Sequence, residues 1–504
     1  MDLEILAKLK ESKEYRRLGK LFYTSQSAYL YDTGTGKVIE LDQDARKLME
    51  AFFDDNNCAE DFLATAGSIS TIESICSFIE GEQLLSNPQV DEFVKINHRL
   101  AEENLECGQL IIELTGNCNL RCKYCIYNDF YEGNRSFNTS NIDFDTARKA
   151  IDYVYAHRDP DHLAITFYGG EPLLNFNVMR QCIDYCLEKF EREKLSFSLT
   201  TNLTLMTKEI AEYLAQIPNM SITVSIDGPE EIHNMSRVKG RGQGSFRDAF
   251  SGLLNLSEAV NKYKRTMLMV SVVLMPPYTA ERFNAINDFF ESLDFLPENT
   301  EVRATYPRPG TISQSYIDDL HMKGLEAVEE INWMDWSRQK INLGNLLGEK
   351  KNLYASVLEY ALARIHNRIL YEKPLPNFYR NGCCIPGHRR LYVSTDGSYR
   401  VCERIGTAPV IGHVDTGLDA EAVIKSYIEA YDAESLPNCS QCWAINLCDI
   451  CYASCYDEHG INMKEKMVRC EYTRSKFATW LQYYHELLET KPEIIQNISQ
   501  IELA

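Results

Sequence analysis

No run of about 18 uninterrupted apolar residues occurs in the 504-residue sequence, so no stretch has the pattern of a membrane-spanning helix. The first seventeen residues, MDLEILAKLKESKEYRR, also lack the apolar core of an export signal, so the expected location is cytoplasmic, with no membrane partner. Positive charge is scarce: 52 Lys and Arg stand against 73 Asp and Glu, a net charge of −21. Such a surface repels phosphate backbones and anionic lipid, and no nucleic-acid partner is expected. Fixed repeats and low-complexity tracts are absent. With 44% hydrophobic and 25% charged residues, wholesale disorder is excluded. The length calls for about two to four domains. The ten histidines show no metal-ligand or catalytic-base spacing. Carboxylates are too many to single out a general base, and the catalytic residue stays unassigned.

Cysteine is what the sequence has in excess. Seventeen is high for a chain without an export signal, and clustered thiols in a reducing compartment point to metal ligands rather than disulfides. Three fall together at Cys118, Cys122 and Cys125, and nine lie between Cys383 and Cys470.

The chain divides by pattern. Residues 1–95 form a candidate small unit, with strand-like runs at 22–24, 28–32 and 37–41, the last two divided by a Gly34–Gly36 turn. Asp42 is placed to cap a helix bearing Leu48 and Phe52, and two more helical stretches follow near 58–66 and 70–80. Three strands and then three helices make a winged-helix-like pattern. The first twenty residues carry six basic and four acidic side chains, a locally positive start. From about 108 strands and helices alternate. Strands are expected at 109–115, 163–168, 196–201, 221–226, 267–274 and 301–306, with helices near 143–157, 177–193, 207–215, 246–260 and 281–293. The expected fold is α/β, a parallel sheet wrapped into a partial (β/α)6 TIM-like barrel with function at the strands' carboxyl ends. Residues 311–380 form a mostly helical bridge, 381–475 a cysteine-rich domain and 476–504 a helical tail, so the barrel is bounded at 108–310.

Cys118, Cys122 and Cys125, in C-x3-C-x2-C spacing, follow directly on the first barrel strand. Three thiolates on one short loop suit three irons of a 4Fe–4S cube and leave the fourth open to a chelating small molecule. A structural zinc site wants four ligands, usually in paired knuckles. Cys182 and Cys186, at i, i+4 on a helix, fit core packing instead. Cys58, Cys76 and Cys107 stand alone and take no role.

The three-cysteine loop, with Tyr124 before its last cysteine, resembles the hallmark of the radical S-adenosylmethionine superfamily. The run Gly169, Gly170, Glu171, Pro172 at the end of the second strand resembles that family's segment for the cofactor's methionyl amino group, where glycine lets backbone approach a ligand closely. Thr201 and Asn202 end the third strand in a segment like the family's, with Leu203 replacing a glycine. Ser225 and Asp227 stand where family members bond the ribose, and Arg237 matches an arginine that pairs with the methionyl carboxylate. The resemblance thus implies cofactor contacts at Tyr124, Gly169, Gly170, Glu171, Asn202, Ser225 and Arg237.

The tail resembles the SPASM extension of peptide-modifying radical enzymes, with Cys384, Gly397 and Cys402 followed by Cys439, Cys442, Cys448, Cys451, Cys455 and Cys470. Carried over by position, Cys439, Cys442, Cys448 and Cys470 would hold an outer 4Fe–4S cluster. Cys384, Cys402 and either Cys451 or Cys455 would hold an inner one, with Cys383, the spare thiol or nothing from the protein as its fourth ligand. The spacing departs from the family after Cys448, and C-x2-C pairs also suit a zinc ribbon.

The first unit resembles a precursor-peptide recognition element, in which an exposed edge strand accepts a peptide; a DNA-binding winged helix is the competing reading. Together the resemblance implies a radical S-adenosylmethionine peptide maturase with three 4Fe–4S clusters, a leader-bearing precursor peptide and a flavodoxin- or ferredoxin-like electron donor. Its implied product is a thioether from a cysteine sulfur to a carbon of another residue. Alternatives are a carbon–carbon crosslink, an epimerisation, or formylglycine formation as in anaerobic sulfatase maturation. A non-catalytic electron-transfer or peptide-binding protein is the reading outside enzymes, and the Gly169–Pro172 run argues against it.

Overall fold

The computed structural model describes residues 3–65, 69–88, 90–95, 107–131, 134–158, 161–325, 333–342 and 351–498. The amino-terminal unit opens with a helix, α1 (Leu3–Glu11), that the charge-rich sequence does not advertise. Strands β1 (Gly19–Tyr23), β2 (Ala28–Asp32) and β3 (Val38–Leu41) then form an antiparallel meander in the order β1-β2-β3. Helix α2 (Gln43–Phe53) follows, its first backbone N–H groups accepted by the Asp42 carboxylate, and then α3 (Ala59–Thr65) and α4 (Ile69–Gly81).

All five residues of β2 are buried, because the sheet is covered on both faces. Leu30 packs with Leu6, Leu48 and Phe52 on one side. Phe22, Tyr29 and Tyr31 pack with Leu358, Phe477, Leu481 and Tyr484 on the other. The first sheet therefore shares a core with the carboxyl-terminal helices. Two of the six basic residues of the expected positive start lie inside. Lys10 is buried, donating to the carbonyls of Phe52 and Asp54, and buried Arg17 bonds Asn87 O and Glu14.

The central sheet is built from six parallel strands in sequence order, β4 (Gln109–Thr115), β5 (Leu163–Gly169), β6 (Leu195–Thr201), β7 (Met220–Ser225), β8 (Thr266–Val273) and β9 (Glu301–Thr305). Helices α5 (Phe144–Ala156), α6 (Phe176–Lys189), α7 (Lys208–Gln216), α8 (Glu230–Ser236), α9 (Phe246–Tyr263) and α10 (Ala280–Glu291) connect them. Strands β5 to β7 alternate buried with half-buried residues. The buried set (Leu163, Ile165, Phe167, Leu199, Ile222) belongs to the main core. The other face carries small polar residues such as Thr166, whose hydroxyl lies 2.6 Å from that of Ser198. Cys182 and Cys186 are buried in that core, on α6.

Helices α11 (Gln314–Met322), α12 (Trp333–Asn342) and α13 (Leu353–His366) follow β9. The tail then extends the sheet. Strand β10 (Leu391–Val393) pairs parallel with β4, and β11 (Ser398–Arg400), β12 (Gly412–His413) and β13 (Gly417–Leu418) continue it antiparallel, giving ten strands among the described residues. Gly397, at φ +86°, turns the β10–β11 hairpin between Cys384 and Cys402. Helices α14 (Ala420–Val423) and α15 (Ala430–Cys439), the hairpin β14 (Tyr456–Asp457) with β15 (Gly460–Ile461), the long α16 (Met463–Thr490) and α17 (Pro492–Ile498) complete the chain. The expected 475/476 boundary falls inside α16. None of the described helices is long and apolar enough to cross a membrane.

Candidate active site

Beyond β4 the chain turns through Gly116 into the cysteine loop. The end of α8 and the segment after it clamp it: Arg121 N–H donates to Val238 O at 2.7 Å and Lys123 N–H to Ser236 O at 2.9 Å. Cys118, Cys122 and Cys125 line a cavity of about 280 Å³ together with all seven residues expected to contact a cofactor: Tyr124, Gly169, Gly170, Glu171, Asn202, Ser225 and Arg237. Burial pushes the Cys118 thiol up to about 12 and raises Cys122 and Cys125 as well. These thiols stay protonated unless a metal compensates the thiolate charge.

The glycine pair has a structural role besides the expected one of approaching a ligand. A Cβ on Gly169 would stand 2.4 Å from Thr115 O and one on Gly170 2.0 Å from Asn117 O, while Gly169 also has φ +136°. Gly170 N–H donates to Thr115 O and Glu171 N–H to Asn117 O, both at 2.9 Å. The end of β5 is thereby laced to the base of the cysteine loop, and only glycine fits so close an approach. The buried Glu171 carboxylate accepts from Thr201 Oγ1 at 2.7 Å, Asn202 N–H at 2.8 Å and Leu173 N–H at 3.1 Å. Its burial favours the neutral acid and these hydrogen bonds oppose that. Glu171 acts as a brace between β5 and β6. Asn202 Nδ2 donates to Asn119 Oδ1 at 2.9 Å and points at Cys118 Sγ, 3.8 Å away. Leu203, where the family segment has glycine, keeps a glycine-like φ of +67° while fully buried, a conformation that costs a branched residue about 1 kcal/mol.

Asp227 departs from its expected ribose contact. Its Oδ2 accepts from Tyr124 Oη at 2.7 Å, Arg237 Nε at 3.0 Å and Ser236 Oγ at 3.2 Å, and its Oδ1 from Val273 N–H at 3.0 Å. Four donors saturate it, and Ser225 alone of that pair lines the cavity. Burial opposes the charge on Arg237, but Asp227, Tyr124 and Cys122 together offset it and the guanidinium stays charged. Its Nη1 lies 4.0 Å from Cys122 Sγ, and its guanidinium carbon stands 5.3 Å from the centroid of the Tyr124 ring. His233 is pushed down to about 4 by burial and remains neutral.

Tyr127, Tyr168, Tyr306 and Arg308 also line the cavity and were not picked out from the sequence. Arg308 had a positional signal, since it closely follows β9 at the carboxyl end of the barrel. Its guanidinium donates to Arg404 O and Ala453 O, reaching from the barrel into the tail.

In the tail, Cys439, Cys442, Cys448 and Cys470 line a single cavity of about 860 Å³, with Lys466 Nζ 3.5 Å from Cys439 Sγ. Cys451 has Cys384, Arg404 and Arg308 as charged or ionisable neighbours, and Cys402 has Cys451. Cys455 is fully buried and faces Lys466, Cys470 and Cys439 as well as Cys451. Cys383 lies near both Cys455 and Cys451 and beside Tyr431. Among the described residues no three His, Cys, Asp or Glu side chains converge on a point that would hold a single metal ion. The donor sets are all-sulfur, three or four thiols each, with cations alongside. They fit the chemistry of iron–sulfur clusters.

Residues 112–290 match the Radical SAM superfamily, and the chain carries a radical SAM domain of the kind that binds S-adenosylmethionine at an iron–sulfur site. Among curated proteins it is 28% identical over 190 residues to the radical SAM cyclopropyl synthase TigE of Paramaledivibacter caminithermalis, covering 36% of this chain and 39% of that protein. It is 29% identical over 188 residues to the cysteine-type anaerobic sulfatase-maturating enzyme of Clostridium perfringens strain 13, covering 37% and 49%. An uncharacterized protein of Methanocaldococcus jannaschii is 36% identical over 144 residues, 29% of this chain and 46% of that one. The chain thus spans less than half the length of each. A solved structure of native anSMEcpe with bound AdoMet shares the fold at a TM-score of 0.51 and 18% identity, over 78% of this chain and 100% of that one.

Proposed function

We propose that this chain is a radical S-adenosylmethionine enzyme that modifies a ribosomally made, leader-bearing peptide by joining a cysteine sulfur to a carbon of another residue. The observation that carries this reading is the continuity of the two cysteine regions. Arg308 lines the cavity of Cys118, Cys122 and Cys125 and hydrogen-bonds the backbone beside Cys402 and Cys451. When bound, the cluster and S-adenosylmethionine would supply a 5′-deoxyadenosyl radical able to take hydrogen from an unactivated carbon.

The chain's own residues hold and position. Cys118, Cys122 and Cys125 would hold three irons. Arg237, oriented by Asp227, offers a guanidinium to the methionyl carboxylate. The Gly169–Glu171 turn, Asn202 and Ser225 would take the rest of the cofactor, beside a wall of Tyr127, Tyr168 and Tyr306. Cys439, Cys442, Cys448 and Cys470 would hold an outer auxiliary cluster, and Cys384, Cys402 and Cys451 an inner one. Three thiols are one short of a closed 4Fe–4S site, which favours a sulfur-bearing substrate. Residues 1–95 would hold the leader of the precursor peptide, and a flavodoxin- or ferredoxin-like protein would supply the electron in the cytoplasm.

The test is anaerobic turnover with dithionite and S-adenosylmethionine. Release of 5′-deoxyadenosine is expected, and its absence would leave a non-catalytic carrier. With a cysteine-bearing peptide, a product short of two hydrogens with sulfur retained is expected. A product that has lost sulfur would instead support the formylglycine alternative.

A further inference from the structure

We propose that Lys466 is a built-in counter-charge for the outer cysteine set, its buried ammonium donating to Cys439 Sγ and biasing an iron–sulfur cluster there toward the reduced state. The proposal rests on the reading above, in which Cys439, Cys442, Cys448 and Cys470 hold that cluster.

A lysine is unfavourable at this position on two counts. Helix α16 begins at Met463, so Lys466 stands near its amino end, where the helix dipole opposes a cation. Its side chain is also only 1% exposed, and an ammonium taken out of water needs a partner of opposite charge. The helix turns Lys466 inward with Cys470 at i+4 and the buried Thr473 at i+7, one face of the helix. One segment therefore brings both a thiol and a cation to the same cavity.

No carboxylate supplies the opposite charge. Among the described residues Lys466 has no ion-pair partner, and sulfur surrounds it instead. Cys439 Sγ lies 3.5 Å from Nζ, with Cys470 and Cys455 also near. The Tyr431 hydroxyl is occupied, donating to Asn381 Oδ1 at 2.9 Å. Tyr431 meets Lys466 through its ring, the centroid 5.2 Å from Nζ.

Neutral thiols cannot balance a buried ammonium, but thiolates on iron can. Four thiolates around a 4Fe–4S core leave net negative charge, and reduction adds one more. A cation in a low-dielectric interior stabilises the more negative state most, and hydrogen bonds to the sulfurs act in the same direction. Arg474, the second cation of this set, bonds Cys442. It is only half-buried, so water screens part of its charge. The larger bias belongs to Lys466.

The test uses the full chain carrying Cys118/Cys122/Cys125→Ala, which keeps both tail clusters. Midpoint potentials are read anaerobically by redox titration followed by electron paramagnetic resonance. The outer signal is the one that a further Cys442→Ala removes. Lys466→Met takes away the charge and the donor at similar side-chain length, while Lys466→Gln keeps a neutral donor. Iron content and circular dichroism check that each variant is loaded and folded. At the midpoint of the parent, we expect Lys466→Met to lower the ratio of reduced to oxidised outer cluster about tenfold or more. Lys466→Gln and Arg474→Gln should each lower it less. A loaded Lys466→Met with an unchanged midpoint would overturn the proposal and leave the outer cluster standing. If only Lys466→Met fails to load, the Gln variant decides: a lower midpoint supports the proposal and an unchanged one overturns it. Folded variants of both kinds without iron would also overturn it, making Lys466 a residue needed to form the site rather than to bias it. Absence of any signal that Cys442→Ala removes would overturn the outer cluster and the proposal together.

Discussion

At the scale of single residues, the first cavity depends on a carboxylate that touches no cysteine. Asp227 holds Tyr124, whose position is 103 residues away in the chain, and Val273, 46 residues away, while it fixes Arg237. Asp227→Asn keeps the size but loses the largest of the charges that offset burial of the guanidinium. The expected outcome is an unchanged iron content with S-adenosylmethionine binding weakened about tenfold or more, read by equilibrium dialysis. Unchanged binding would mean that Arg237 needs no such partner. The cysteine loop and the Gly169–Pro172 run were legible in the sequence because their chemistry is written in short spacings. Asp227 was grouped with Ser225 for the same reason, adjacency, and its real partners were invisible because they arrive from three other segments. The glycines were found, but the atoms that demand them, Thr115 O and Asn117 O, appear only once β5 lies beside β4.

At the scale of elements, β4 to β9 were legible because each is five to eight residues long and β5 to β7 alternate cleanly between a core face and a polar face. The tail strands β10 to β13 were not, since two or three residues carry no period. Their existence depends on the open edge of β4. The packing of α16 on the first sheet was hidden as well, because β2's unbroken apolar run gives no hint of which partner covers which face. His485 lies in that seam, its ring centroid 5.2 Å from Phe22's and 4.9 Å from Tyr29's. Burial pushes His485 down to about 4 from an ordinary 6.5. Below pH 6.5 the unfolded chain takes up a proton that the folded chain refuses, so stability falls as pH drops from about 6.5 to about 4. The loss approaches about 3 kcal/mol at the lower end. His485→Phe should flatten the pH dependence of thermal unfolding of the metal-free chain over that window. An unaltered slope would contradict the seam.

At the scale of the whole molecule, three regions converge on two cysteine-bearing cavities, and the account stands or falls on what those thiols hold. The most direct measurement is anaerobic iron and sulfide analysis with Mössbauer spectroscopy on the wild type, the Cys118/Cys122/Cys125→Ala triple variant, Cys451→Ala and Cys455→Ala. The account predicts about twelve irons per chain in the wild type and about eight in the triple variant. Cys451→Ala should also fall to about eight, because Cys451 sits with Cys384, while Cys455→Ala should stay near twelve. About four irons in the wild type and none in the triple variant, with zinc in the tail, would contradict the account. The tail would then be a structural ribbon, and the proposed thioether chemistry would lose its physical basis.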